Sequence, residues 1–196
     1  MDTTENRSET EITATVSQLI EMKIEVIVIP VSDVDRAKHF YTSLGWRLDL
    51  DIATSDEYRA VQLTPPGSSC SIMIGQGITS APPGSVQGLH LIVSDIVAAR
   101  TQLLNRGVMV SEPFHDPGGV FHHADSKSLR TGLQPQRRTY GSYASFSDPD
   151  GNSWVLQEVT GRLLGDVDTG GTLTSAVRLK RALQRAAEQN DGKASS

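Results

Sequence analysis

The stretch Ile27-Val-Ile-Pro-Val-Ser-Asp-Val-Asp-Arg-Ala-Lys-His-Phe-Tyr-Thr-Ser-Leu-Gly45 decides the fold. An apolar run leads into Ser32-Asp33, and a helical pattern follows. Val34, Ala37, Phe40, Tyr41 and Leu44 recur at intervals of three and four, so they share one helix face. Ser32 or Asp33 is the expected cap, because a short side-chain oxygen accepts the free amide hydrogens of the first turn. Gly45 is the expected stop, since glycine takes the left-handed conformation that closes a helix. The stretch predicts strand, helix, stop.

The unit recurs. Leu89-His-Leu-Ile-Val-Ser-Asp-Ile-Val-Ala-Ala-Arg-Thr-Gln-Leu-Leu-Asn-Arg-Gly107 aligns with it without gaps. Val31/Val93, Ser32/Ser94, Asp33/Asp95, Ala37/Ala99 and Gly45/Gly107 are identical. Cap, helix face and stop are all in register, so the chain reads as an internal duplication, a signal that governs the fold ahead of others.

Working outward, the first half predicts strands at Lys23–Ile29, Trp46–Asp51, Tyr58–Thr64 and Cys70–Ile74. Alternation puts Trp46, Leu48 and Leu50 on one side of the second strand. Pro65-Pro66-Gly67 turns the third into the fourth. Glycines and prolines across 75–88 mark the linker between halves. The second half predicts a strand at Leu89–Val93, a helix over Asp95–Asn105, and strands at Val108–Val110, Tyr143–Ser147 and Ser153–Val159. Asp148-Pro-Asp-Gly-Asn152 is a hairpin turn, with Pro where φ is fixed and Gly where φ is positive. Between them, residues 111–142 form a long connection, of the kind that is usually functional or disordered. Residues 1–21 read as a disordered tail rich in Thr, Ser and Glu. Residues 160–196 read as a glycine-rich spacer and a short helix with Leu179, Ala182, Leu183 and Ala186 on one stripe. One folded domain is expected over 22–159, in modules 22–75 and 88–159.

Composition narrows the classes. No apolar run in the 196 residues approaches the roughly 20 that a spanning helix needs. The net charge of −5 argues against a nucleic-acid surface. Cys70 is the single cysteine, so there is no intramolecular disulfide framework. With no basic patch and apolar core at the N-terminus, a cytoplasmic chain is expected.

Duplicated βαβββ units, each opening with strand-Val-Ser-Asp-helix-Gly, together with a final Asp148–Asn152 hairpin, resemble the vicinal oxygen chelate superfamily. That group comprises the glyoxalases, bleomycin-resistance proteins and extradiol dioxygenases. Val31-Ser-Asp33, Phe40-Tyr41, Leu44-Gly45 and Asp148–Asn152 carry the resemblance, over about residues 22–159. It implies an α+β fold in which two βαβββ modules form one curled, half-barrel mixed-sheet domain with the pocket inside. It also implies a homodimer that pairs modules, and a small-molecule ligand.

The resemblance further implies where a metal would sit: a His seven residues before each helix-opening Asp, and a Glu seven residues after the Asp that opens the turn. Here those positions are Val26, Gly88 and Val155, with the remaining counterpart at Met73 or Ile74. None can hold a hard divalent cation, which needs imidazole, carboxylate or similar donors. No metal ligand is therefore assigned, and a divalent metal would need other residues.

Two groups of polar residues remain. If position 88 points inward, the period of two brings His90 inward, and the same parity turns Gln157 inward and Glu158 outward. His90 is the candidate catalytic residue, against the alternative of a structural histidine. The long connection holds His115, Phe121, His122 and His123, followed by Arg138 and Tyr140. As a lid, Phe121 covers an apolar ligand while imidazoles and guanidiniums meet anionic or hydroxylated groups. The alternative is a solvated polar loop. His122 and His123 diverge in extended backbone, which makes joint metal ligation awkward.

Three functions follow. The first is a metal-free binding protein of the bleomycin-resistance kind, holding a small aromatic or polycyclic molecule. The second is a lyase, isomerase or dioxygenase with a displaced metal site around His90 and the loop histidines. The third is a metal-free enzyme with His90 as general base, a role that suits an imidazole of pKa about 6.5.

Overall fold

The computed structural model describes residues 20–117 and 129–161. Expectations for most of the N-terminal tail and for the C-terminal helix lie outside the described residues. The first module runs β1 (Val26–Val28), α1 (Val34–Ser43), β2 (Arg47–Ser55), β3 (Tyr58–Thr64) and β4 (Ser71–Gln76). The second runs β5 (Leu89–Val93), α2 (Ile96–Asn105), β6 (Phe114–His115), β7 (Arg130–Thr131), β8 (Ser142–Ser147) and β9 (Ser153–Glu158). They form two mixed sheets, ordered β1-β4-β3-β2 and β5-β9-β8-β6-β7, which do not close into a barrel. In each module the first strand pairs parallel with the last, and Val28↔Met73 corresponds to His90↔Val155. The duplicated α+β plan is present down to register.

The helix boundaries have the expected chemistry. Asp33 caps α1, its side chain accepting from Arg36 N at 3.0 Å. Asp95 caps α2, accepting from Val97 N and Ala98 N at 2.9 Å each. Both helices stop at a glycine of positive φ, Gly45 at 86° and Gly107 at 82°. Ser32, the other candidate cap, instead donates its hydroxyl to Asp150 Oδ1 in the second module at 2.5 Å.

Three local expectations change. Val108 and Val110 are buried, with Met109 exposed between them, but the segment forms no strand; Phe114–His115 pairs with β8 in its place. In β2 a bulge separates Leu48 from Leu50: Leu48 opposes Leu63, whereas Leu50 opposes Gln62. The extra residue, Asp49, breaks the alternation and turns Leu48 and Leu50 to opposite faces. Over 129–142 the long connection is bonded into the second module. Its backbone is tied by Gln134 N to Ser142 Oγ at 3.2 Å and by Tyr140 N to Glu158 O at 2.8 Å. Arg137 Nη2 meets Glu158 Oε1 at 2.7 Å.

One core joins both modules. The helix-bearing sheet faces bury Ile29, Val61, Leu63, Ile72, Ile74 and Leu156 with Ala37 and Ile96 from the helices. Burying each large side chain contributes about 1.5–3 kcal/mol of transfer free energy. Tyr41 sits at the junction, its ring centroid 4.9 Å from Trp46 and 6.1 Å from Trp154. The Asp148–Asn152 turn clasps the modules together. Fully buried Asn152 donates to Pro30 O at 3.0 Å and accepts from Val86 N at 3.1 Å. Asp150 accepts from Arg36 Nη2 at 2.8 Å.

Candidate functional site

Each sheet packs its helix on one face, through α1 on β3 and β4 and α2 on β8 and β9. Among the described residues, the opposite face of each sheet carries no helix. In the second module the register places His90, Ile92, Val155, Gln157, Tyr143 and Phe114 on that face. In the first it places Val26, Val28, Met73, Gln62, Leu50 and Ile52 there. Val26, Val28, Ile52 and Ile92 are each more than a third exposed, so the helix-free faces present apolar surface.

One polar network crosses the face of the second module. His90 Nδ1 lies 3.2 Å from Gln157 Oε1. Gln157 Nε2 donates to Tyr140 O at 3.2 Å and to Tyr143 Oη at 3.3 Å. Gln157 and Tyr143 are buried, whereas His90 on β5 is exposed. Burial pushes the Tyr143 phenol up to about 12, and the negative charge of buried Asp116 adds to the shift. Tyr143 therefore stays a neutral phenol at physiological pH. Stacking of Phe114 on Tyr143, 5.7 Å between ring centroids, fixes its ring.

The predicted site residues divide. His90 and Gln157 come together on the helix-free face. Tyr140 joins through its carbonyl, in a left-handed backbone of φ 65° that only tertiary contacts sustain in a residue with a Cβ. Arg138 is exposed, and its amide nitrogen donates to Gln134 Oε1 at 2.8 Å. His115 lies across from Ser142, on the face opposite its neighbour Phe114, with Nδ1 2.9 Å from Gly132 O. It is thus turned away from His90. Phe121, His122 and His123 lie outside the described residues. Glu158 points to the helix side as expected, buried, accepting from Ile96 N at 3.2 Å at the start of α2.

Sequence reasoning missed Tyr143 and Asp116. Tyr143 had a signal, because a β8–β9 hairpin closed at Asp148–Asn152 pairs it with Gln157. Asp116 had none: it belongs to no regular element, and its place follows from β6.

The family's metal positions also become definite. Met73, not Ile74, is the first module's equivalent of Val155, and Ile74 is core. Val26, Met73 and Val155 lie on the helix-free faces, and Gly88 immediately precedes β5. None carries an imidazole, carboxylate or other hard donor. Among the described residues, no three His, Cys, Asp or Glu side chains gather where they could hold a metal ion.

Two modules of the βαβββ kind, the second with the extra short strand β7, clasped by an Asp-Pro-Asp-Gly-Asn turn define a class of duplicated α+β proteins. Residues 23–156 match the Glyoxalase/Bleomycin resistance protein/Dioxygenase superfamily, and the chain belongs to that family. Among solved structures it is similar to TnmS3, an antibiotic binding protein from Streptomyces sp. CB03234. The two share 29% identity over 72% of this chain and 99% of that one, with a TM-score of 0.52. A superfamily member from Sphaerobacter thermophilus DSM 20745 shares 28% identity over 71% and 99%, with a TM-score of 0.53. A glyoxalase/bleomycin resistance protein from Streptomyces sp. CB03234 shares 31% identity over 69% and 100%, with a TM-score of 0.49. No curated protein matches the chain. No helix among the described residues is long and apolar enough to cross a membrane.

Proposed function

We propose that this chain binds a small, largely apolar organic molecule against the helix-free face of its second module, without the metal donors its family commonly uses. The observation that carries the proposal is the make-up of the two helix-free faces. The metal positions Val26, Met73, Gly88 and Val155 lack hard donors, and beside Val155 the His90–Gln157–Tyr143 network supplies polar contacts. Apolar walls with a few placed polar groups are the usual make-up of a small-molecule site. The similarity to TnmS3, described as an antibiotic binding protein, supports an antibiotic as the kind of ligand, and the apolar faces suit an aromatic or polycyclic one.

A homodimer goes with this reading. Exposed Val28 and Ile52 in one sheet and Ile92 in the other are apolar surface that a second copy would cover. A cytoplasmic location is consistent with the lone Cys70. A second reading, a metal-free enzyme with His90 as general base, is favoured by the amide oxygen held against His90 Nδ1.

The test combines titration of polycyclic aromatic antibiotics by calorimetry with metal content and melting of untagged protein before and after chelation. Saturable binding without product, and a melting curve indifferent to chelation, are expected. Stoichiometric metal whose removal lowers the melting temperature would overturn the proposal, and turnover abolished by His90→Ala would replace it with the second reading.

A further inference from the structure

The contacts around Gln157 determine more than where His90 sits. An amide has two hydrogens on its nitrogen and only acceptor capacity on its oxygen. Tyr140 O is a backbone carbonyl, which can only accept, so the group 3.2 Å from it must be the Gln157 nitrogen. The opposite amide orientation would set two acceptors against each other. The second amide hydrogen goes to Tyr143 Oη at 3.3 Å. The oxygen thus faces His90 Nδ1 at 3.2 Å, and a hydrogen bond there requires the proton on the ring nitrogen.

We propose that Gln157 is a positioning residue that holds neutral His90 with its proton on Nδ1, making Nε2 the ring's acceptor. The carbonyl that orients the amide belongs to a residue in left-handed backbone. That conformation is anchored independently, since Tyr140 N donates to Glu158 O at 2.8 Å and Glu158 is tied to Arg137. Orientation therefore passes from the strapped segment before β8, through Gln157, to the imidazole. A ring so held meets ligands that present a hydrogen-bond donor, such as a phenolic hydroxyl. This statement about the ligand rests on the binding reading above; the tautomer does not.

The test is 15N NMR of the full, ligand-free chain with labelled histidine, well above the imidazole's ordinary pKa of about 6.5. The His90 signals are those lost in His90→Ala. The expected spectrum has a protonated-type Nδ1 and a bare-type Nε2. A proton on Nε2, or an averaged mixture, would overturn the proposal. Gln157→Leu removes the acceptor and should release the tautomer. If Gln157→Leu does not fold, the parent spectrum decides alone. Phenol added to the parent should move the Nε2 signal, and anisole should not. An equal response to both, or none, would overturn the ligand class and leave the tautomer standing. A correct tautomer in a chain that binds no antibiotic would sink the function alone.

Discussion

The Tyr41 hydroxyl donates to Asp148 Oδ2 at 2.9 Å, joining the helix of the first module to the last turn of the second. Trp154 Nε1 donates to the same hydroxyl at 3.2 Å. Burial first, and the Asp148 charge second, push the Tyr41 phenol far above its ordinary range. It is a permanent donor here. Tyr41→Phe removes that donor and leaves Trp154 without its acceptor, so a loss of about 1–3 kcal/mol is expected. Chemical denaturation measures it, and an unchanged midpoint would mean the junction contributes nothing.

The two stop glycines should respond unequally. A Cβ on Gly107 meets nothing within 4 Å, so Gly107→Ala costs only its positive φ, about 1 kcal/mol. A Cβ on Gly45 lies 2.9 Å from Arg106 Nη1, which donates to Ser43 O at 2.8 Å. Gly45→Ala pushes that guanidinium aside as well and should melt lower than Gly107→Ala. Equal melting would show that the Arg106 contact is dispensable.

Asp51 makes the acid limb of stability predictable. Hydrogen bonds from Arg59 and then Lys38 hold its carboxyl well below the usual carboxylate range. A depressed folded pKa contributes stability that is complete above the unfolded value of about 3.9 and is lost as pH falls through the folded value. Asp51→Asn should therefore melt below the parent near neutrality, with the gap closing below about pH 4. A gap independent of pH would show that packing, not ionisation, is responsible.

At the proposed site, His90→Ala should weaken ligand binding about tenfold, the loss of one hydrogen bond. Its melting temperature should stay near the parent's, because the ring is exposed. His115→Ala should leave affinity unchanged, since that ring lies on the opposite face. The reverse pattern, measured by calorimetry, would move the site to the other side of the sheet.

The long connection offers the fifth prediction. On length alone, deleting Asp125–Gln136 looks tolerable, because loop closure depends weakly on length. The structure reverses that expectation, since the deletion removes β7 and the bond from Gln134 to Ser142. A smaller probe is Arg137→Ala. It leaves the carboxylate of Glu158, 1% exposed, with Ile96 N as its side chain's only partner among the described residues, at a cost of about 1–3 kcal/mol. Unaltered stability would mean that Arg137 does not strap the segment to β9.

The sequence by itself determined whatever depends on neighbours along the chain. Asp33, Asp95, Gly45 and Gly107 act within one helical turn, so caps and stops were legible, and the duplication carried them into two modules in register. Strand parity likewise put His90 and Gln157 on one face. Three things waited for tertiary structure. The Asp148–Asn152 pentapeptide reads as a hairpin turn, yet Asp148, Asp150 and Asn152 also bond to Tyr41, Arg36 and Pro30 in the other module. The bulge at Asp49 reverses a parity that alternation alone would extend. The pairing of Phe114 with Tyr143 turns His115 away from the face that His90 shares. Each is a contact across the chain, and local side-chain spacing does not encode which distant backbone will satisfy a hydrogen bond.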